Sequence, residues 1–295
     1  MKHKKAALRQ NIYQIVLITI ALILSFICLL PLINIVAISF SHSQYVIAGE
    51  VGLIPKGFNL VSYKYIFRQS NFWSSLWVST KKVVIGLALN MILSITAAYP
   101  LSKSDAKFKH RTIFAWIFFF TMLFGGGTLP WYFEIKMLGL LDTIWALVLP
   151  GAVNVFAIII LLNFFKKIPP EIEEAAKMDG ANQWQILFRV YIPLSMGPIA
   201  TVALINFVGH WNAWFDGIML ITNPENMPLQ SYIHTVVSQT VSDIYKYQTG
   251  TEYSVMCDQT TRAALIVSSI IPIILMFPLM QKFLNTGIVL GSINE

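Results

Sequence analysis

Few side chains in this 295-residue sequence are placed to do chemistry, and they concentrate in two stretches. The first is His210-Trp211-Asn212-Ala213-Trp214-Phe215-Asp216, which gathers indole faces, an amide, an imidazole and a carboxylate. Aromatic faces cover the apolar side of a sugar ring, while amides and carboxylates bond its hydroxyls. At about 100° per residue, Trp211 and Phe215 share a helix face, as do Asn212 and Asp216. An aromatic belt at a membrane interface, joined to inter-helix hydrogen bonding, accounts for the same residues. The neighbouring basic pair in the chain, Lys81 and Lys82, either snorkels to headgroups or attracts an anionic saccharide. The second stretch, Lys166–Pro193, carries both charge signs in a short space.

Other chemistries find no footing. The phosphate loop Gly-x-x-x-x-Gly-Lys-Ser/Thr does not occur, so any nucleotide-derived energy must come from another chain. The histidines His3, His42, His110, His210 and His234 are dispersed, and no nucleophile–base set or metal-ligand spacing is legible. Catalytic residues and metal ligands are therefore expected to be none. An integral membrane enzyme, the rival of a different class, needs polar groups clustered at one membrane face, and only His210–Asp216 could serve. Cys28 reads as a small apolar residue in a helix, and Cys257 has no redox or metal partner motif nearby. The methionines, Met137 included, read as packing.

The elements that position these residues are membrane spans. Hydrophobic residues make up 56% of the chain and charged ones 12%, with a mean hydropathy of +0.65; soluble domains run near 45–50% and about 25%. A span needs about 20 mostly apolar residues, and six stretches qualify: 12–40, 73–101, 112–129, 143–165, 194–221 and 261–284. The first is too long for a signal-peptide core and lacks a small-residue cleavage pattern, so it is read as a retained span after a basic head at 1–11. The net charge of +7 lies at the ends of apolar blocks rather than along one face, which disfavours nucleic acid. Thirteen lysines and arginines fall on the side of the N-terminus, the 102–111 loop and the 166–193 loop, against eight on the other. That bias puts both termini in the cytoplasm. Span interiors hold little charge, Asp216 excepted, which weighs against ion-coupled transport. Gly125-Gly126-Gly127 before Pro130 should break the third span near its outer end, as a gate, a docking point or a simple kink.

Lys166–Pro193 reads as two short helices across one end of a bundle. Pro169 and Pro170 suit a helix start, Glu171, Glu173 and Glu174 favour its positive end, and Gly180 supplies the stop. A second helix over 182–191 places Trp184, Leu187, Phe188 and Tyr191 on one apolar face, and Pro193 opens the next span. An ordinary amphipathic interfacial connector would look similar. The spacing is more particular: Glu174-Ala175-Ala176, three residues on Gly180, and nine further on Val190-Tyr191-Ile192-Pro193. This resembles the EAA loop of the membrane subunits of ABC importers, with Val190 and Ile192 as conservative departures. Asp179 before Gly180 fits the carbohydrate-uptake version. The segment Ala97–Ser102 is similar to that family's Ala-Ala-Tyr-x-Leu, and Gly287–Glu295 to its glycine-rich tail. Phe124–Pro130 and Gly209–Gly217 resemble a subgroup that imports complex, sometimes acidic, oligosaccharides.

The resemblance implies an all-α membrane protein of the type I ABC importer permease fold. It is expected to form one permease domain over 12–295, with a coupling loop at 166–193 and a tail at 285–295. The implied function is translocation of a carbohydrate handed over by an extracellular binding lipoprotein and driven by a partner ATPase dimer. Glu171, Glu174, Ala175, Ala176, Asp179 and Gly180 become the expected ATPase interface. His210, Trp211, Asn212, Trp214, Asp216, Lys81 and Lys82 become the expected substrate pathway. The remaining implied partners are a sister permease and membrane lipid; ATP and magnesium would sit on the ATPase, with no cofactor on this chain. The implied location is a bacterial plasma membrane. A permease for a non-sugar solute is the nearest alternative.

Overall fold

The computed structural model describes residues 2–105, 107–238 and 257–291; all regular structure among them is helical. The helices in chain order are α1 (Lys2–Ser39), α2 (Ser43–Ile47), α3 (Val61–Arg68), α4 (Ser70–Ser102), α5 (Arg111–Leu123), α6 (Thr128–Met137), α7 (Ile144–Val148) and α8 (Val155–Phe165). They continue as α9 (Pro170–Met178), α10 (Gln183–Ile186), α11 (Ile192–Leu194), α12 (Met196–Asn212), α13 (Phe215–Leu220), α14 (Leu229–Ser238) and α15 (Asp258–Gly291). Among the described residues, three helices are long and apolar enough to cross a membrane, and up to six spans result if each bent pair is one. The chain divides into two compact units, Met1–Gln69 with Val236–Ile270, and Ser70–Thr235 with Ile271–Glu295.

In the first unit, Tyr13–Ser39 carries the spanning stretch of α1. Its hydroxyls are satisfied within the helix, Thr19 donating to the Ile15 carbonyl and Ser25 to that of Ala21, both at 2.8 Å; this suits a helix surrounded by lipid. Phe40 stacks on Phe58 and lies tilted against Tyr63, while Ser62 donates to Thr260 at 3.1 Å, joining α3 to the start of α15.

In the second unit, α4 is the spine against which α8 and α12 pack. Its core joins Ala98, Tyr99 and Leu101 of α4 to Ile158, Leu161 and Phe165 of α8, with Ile186, Leu187 and Tyr191 from the connector. Close approach is sequence-encoded at Gly86, where a methyl group would come within 2.6 Å of the His210 ring. Three bends interrupt the apolar stretches: 111° between α5 and α6, 45° between Ile144–Gly151 and α8, and 83° between Gln183–Leu194 and α12.

Several expected boundaries change. The third stretch, 112–129, ends at Leu123 and turns through the glycines, so Pro130 falls in the first turn of α6, where its missing N–H costs nothing. The fifth, 194–221, is divided: α12 stops at Asn212, Ala213 is extended, and α13 restarts at Phe215. Trp211 and Phe215 therefore do not share a face, nor do Asn212 and Asp216, because the helical phase is lost at Ala213. The turn into α12 lies at Ser195, after Pro193. α15 runs on through Gly287 to Gly291, into the expected tail; residues 292–295 lie outside the described residues, as do 239–256, between the fifth and sixth expected spans.

Candidate functional site: the charged connector and its buried ion cluster

The connector begins with Pro169 as N-cap and Pro170 in the first helical position of α9. Glu171 and Glu173 occupy the first turn and Lys177 the last, each at the helix end its charge favours. The helix closes at Gly180, whose φ of +80° is a left-handed conformation open to glycine at no steric cost. Its N–H donates to the Lys177 carbonyl and that of Ala181 to Ala176, both at 3.0 Å. Asn182 then starts α10 with a capping box, Asn182 and Gln185 exchanging bonds of 2.9 Å in both directions.

The two faces of α9 differ sharply. Glu171, Ile172, Glu174, Ala175 and Asp179 are exposed, and Met178 shows 88% of its surface. Glu171, Glu174, Ala175 and Met178 follow the i, i+3, i+4, i+7 spacing of a single stripe. Ala176 lies half-buried, packed against the core of its own chain. The exposed Met178, and Met137 on α6 likewise, correct the expectation that methionines here serve packing alone.

The opposite face carries Glu173, only 3% exposed, an acid expected to favour the helix start but not counted among the interface residues. Its carboxylate accepts from Lys177 at 2.7 Å, Lys103 at 2.9 Å, the Tyr191 hydroxyl at 2.9 Å and Lys107 at 3.5 Å. Lys103 leaves the end of α4, and its ammonium rests 3.8 Å from the Tyr99 ring and 4.0 Å from that of Tyr191. Those rings meet edge to face at 4.9 Å, and Tyr99 donates to the Gln183 side chain at 2.7 Å. Arg111 frames the cluster by bonding the Lys103 carbonyl at 3.0 Å and pairing with Asp105 at 3.2 Å.

Burial is the largest single influence on Glu173 and favours its neutral form. The bonds from Lys177, Lys103 and Tyr191 together outweigh it and hold the carboxyl down at about 2. Burial pulls Lys103 below the usual lysine range against the opposing pull of Glu173. Burial and the adjacent carboxylate push Tyr191 above the usual phenol range, so it stays a donor. The cluster thus brings three lysine side chains and one tyrosine hydroxyl onto a single carboxylate.

The apolar face expected over 182–191 is split. Trp184 and Phe188 are 62% and 58% exposed and stack on each other, while Leu187 and Tyr191 are buried. The wider π-helical turn over Leu187–Tyr191 orients these two pairs apart.

Around the break after α12, His210 bonds Asn90 at 2.6 Å, and Asn90 donates to the carbonyls of Gly151 and Ala152, both at 2.7 Å. Trp211 is buried against Phe207. Lys82 neither snorkels nor faces an open path: it is 1% exposed and donates to Asp216 at 2.6 Å and to the Ala213 carbonyl at 3.3 Å. A lysine on a spanning helix is thereby neutralised across the break, a pairing between positions far apart in the chain. Lys81 stands over the Trp77 ring at 5.7 Å. Asn212, Trp214 and Asp216 do converge, with Trp131 and Phe215, on a shallow cavity of about 380 Å³. Trp214 is held by stacking on His234 at 4.1 Å, and Trp131 lies nearly parallel to Phe215 at 6.4 Å. Trp131, not among the expected pathway residues, reaches this cavity from α6, the helix bent 111° from α5.

Bent apolar helices around one spine, each pair long enough to make one span, define a polytopic membrane protein with a charged connector held against its core. The family model of the binding-protein-dependent transport system inner membrane component matches residues 112–290, and the chain belongs to that family. Among its relatives, the polygalacturonan/rhamnogalacturonan transport system permease protein YtcP of Bacillus subtilis (strain 168) is 37% identical over 97% of this chain and 99% of its own. Protein LplC of the same organism is 38% identical over 90% of each. A solved bacterial ABC transporter involved in import of the acidic polysaccharide alginate matches with a TM-score of 0.81 and 33% identity, covering 92% of this chain and 96% of that one. The fold is thus that of an ABC importer permease, and the chain is a membrane-embedded transport component.

Proposed function

We propose that this chain is one of two permease subunits of an ATP-driven importer for a complex, acidic oligosaccharide. The family and the names of its relatives support the transport class, and two of those names supply the substrate class: polygalacturonan or rhamnogalacturonan, and alginate. A sister permease completes the pathway, and an external binding lipoprotein delivers the saccharide. ATP and magnesium are held by a partner ATPase dimer. In this reading the 12–295 region is the permease domain, both termini face the cytoplasm, and the 166–193 connector meets the ATPase. The observation that carries it is the exposed stripe of α9, with Glu171, Glu174, Ala175, Met178 and Asp179 presented outward just before the tight turn at Gly180. The saccharide pathway passes Asn212, Trp214 and Asp216, with His210, Trp211 and Lys82 supporting them from behind and Lys81 at their flank.

The test is ATP-dependent uptake of labelled oligogalacturonides by proteoliposomes holding the assembled complex. Ala175→Trp, which adds bulk to the exposed stripe without touching the core, should abolish uptake by preventing the ATPase from docking. Full uptake by that variant would remove the connector from the ATPase interface.

A further inference from the structure

We propose that Glu173 is a positioning residue that locks the α9 lever to the end of spanning helix α4, so that its loss uncouples ATP hydrolysis from transport while the docking stripe stays intact. This rests on the reading of the connector as the ATPase contact.

A lever transmits displacement only if its fulcrum does not slip. Apolar contacts are non-directional, and the packing of Ala176 alone would let α9 slide over the bundle at little cost. Charge-assisted hydrogen bonds are short and directional. Glu173 makes them to three different segments at once: Lys103 beyond α4, Tyr191 in the turn leading into α12, and Lys177 on its own helix. One carboxylate therefore ties the docking helix to the two segments that continue into spans α4 and α12. The Lys103 ammonium between the Tyr99 and Tyr191 rings fixes the angle as well as the distance. Stability alone does not call for such a device, since well-packed hydrophobic residues often replace buried ion clusters without loss. The residue is also hidden from the partner by burial, whereas its neighbour Glu174 is exposed. The two adjacent acids are thus assigned opposite tasks, Glu174 to contact and Glu173 to transmission.

The experiment measures oligogalacturonide uptake and phosphate release together in proteoliposomes of the complete complex, and takes their ratio. A variant that only lowers the amount of folded complex reduces both rates and leaves the ratio unchanged. Glu173→Gln should lower uptake per ATP hydrolysed at least fivefold. Tyr191→Phe and Lys177→Gln, each removing one bond to the carboxylate, should lower it about twofold. Glu173→Asp should recover part of the loss. Should Glu173→Gln fail to assemble, the two milder variants decide alone, and an unchanged ratio in both overturns the proposal. An unchanged ratio in Glu173→Gln overturns it as well. If the unmodified complex shows no ATP-dependent uptake, the importer reading fails first; if it is coupled and every variant is equally coupled, only the role of Glu173 fails.

Discussion

The carboxylate of Glu173 meets three ammonium groups and a phenol, whereas Lys82 meets one carboxylate and one backbone carbonyl. Both charges are buried in the second unit, yet their surroundings differ in kind. Lys107 and Lys177 are each more than a third exposed, so the surplus positive charge around Glu173 is hydrated. Lys82 lies inside a spanning helix with its side chain 1% exposed, and Asp216 balances it one for one. A membrane interior supplies no water to an unmatched ion. The comparison teaches that depth sets stoichiometry: near the interface a cluster can be built lopsided and directional, and within the span it must be neutral.

The sharpest way to break this comparison is Asp216→Ala, which strands Lys82. A loss of about 3–5 kcal/mol is expected from an uncompensated buried charge, read as thermal unfolding of the purified protein in detergent. The double change Lys82→Met with Asp216→Leu should recover most of it; failure to do so would mean that the pair acts through geometry rather than charge balance. Glu173→Ala should cost less, about 2 kcal/mol, within the usual range for stranding buried hydrogen-bonding groups, because two of its three lysines, Lys107 and Lys177, can turn to water. An equal or larger loss would erase the distinction drawn from depth.

Acidification sharpens the same contrast. The folded carboxyl of Glu173 is held at about 2 against an ordinary 4.5, so its stabilisation is complete above 4.5 and fades as pH falls toward 2. The stability gap between the unmodified protein and Glu173→Gln should therefore be constant at neutral pH and close through that acid window. The smallest effect belongs to Asn182→Ala, which removes one side of the capping box for about 1 kcal/mol and leaves both ion sites untouched.

Much of this was legible in the sequence because it rests on local patterns. The apolar stretches fall on helices that are long enough to cross a membrane singly or as bent pairs, Pro169–Pro170 and Gly180 bounded α9, and the three glycines announced the bend before α6. Glu173 was hidden among three acids because a helix turns about 100° per residue, and only its phase relative to Ala176 decides which acid faces inward. One signal was available: Glu173 and Lys177 stand at i, i+4. Lys82 and Asp216 are separated by 134 residues, and no periodicity connects them. The break at Ala213 had no glycine or proline to mark it. Without that break Asp216 appeared to extend the face of Asn212, when its place is set by Lys82 from another helix.

Met178 carries one more consequence. Its thioether stands almost fully in solvent at the tip of α9, and an exposed methionine sulfur is readily oxidised to the sulfoxide. On the proposed docking of α9 against the ATPase, a chain not yet joined to that partner would keep a chemical record of the wait. Peroxide footprinting of this single sulfur would time the joining of subunits in the living membrane.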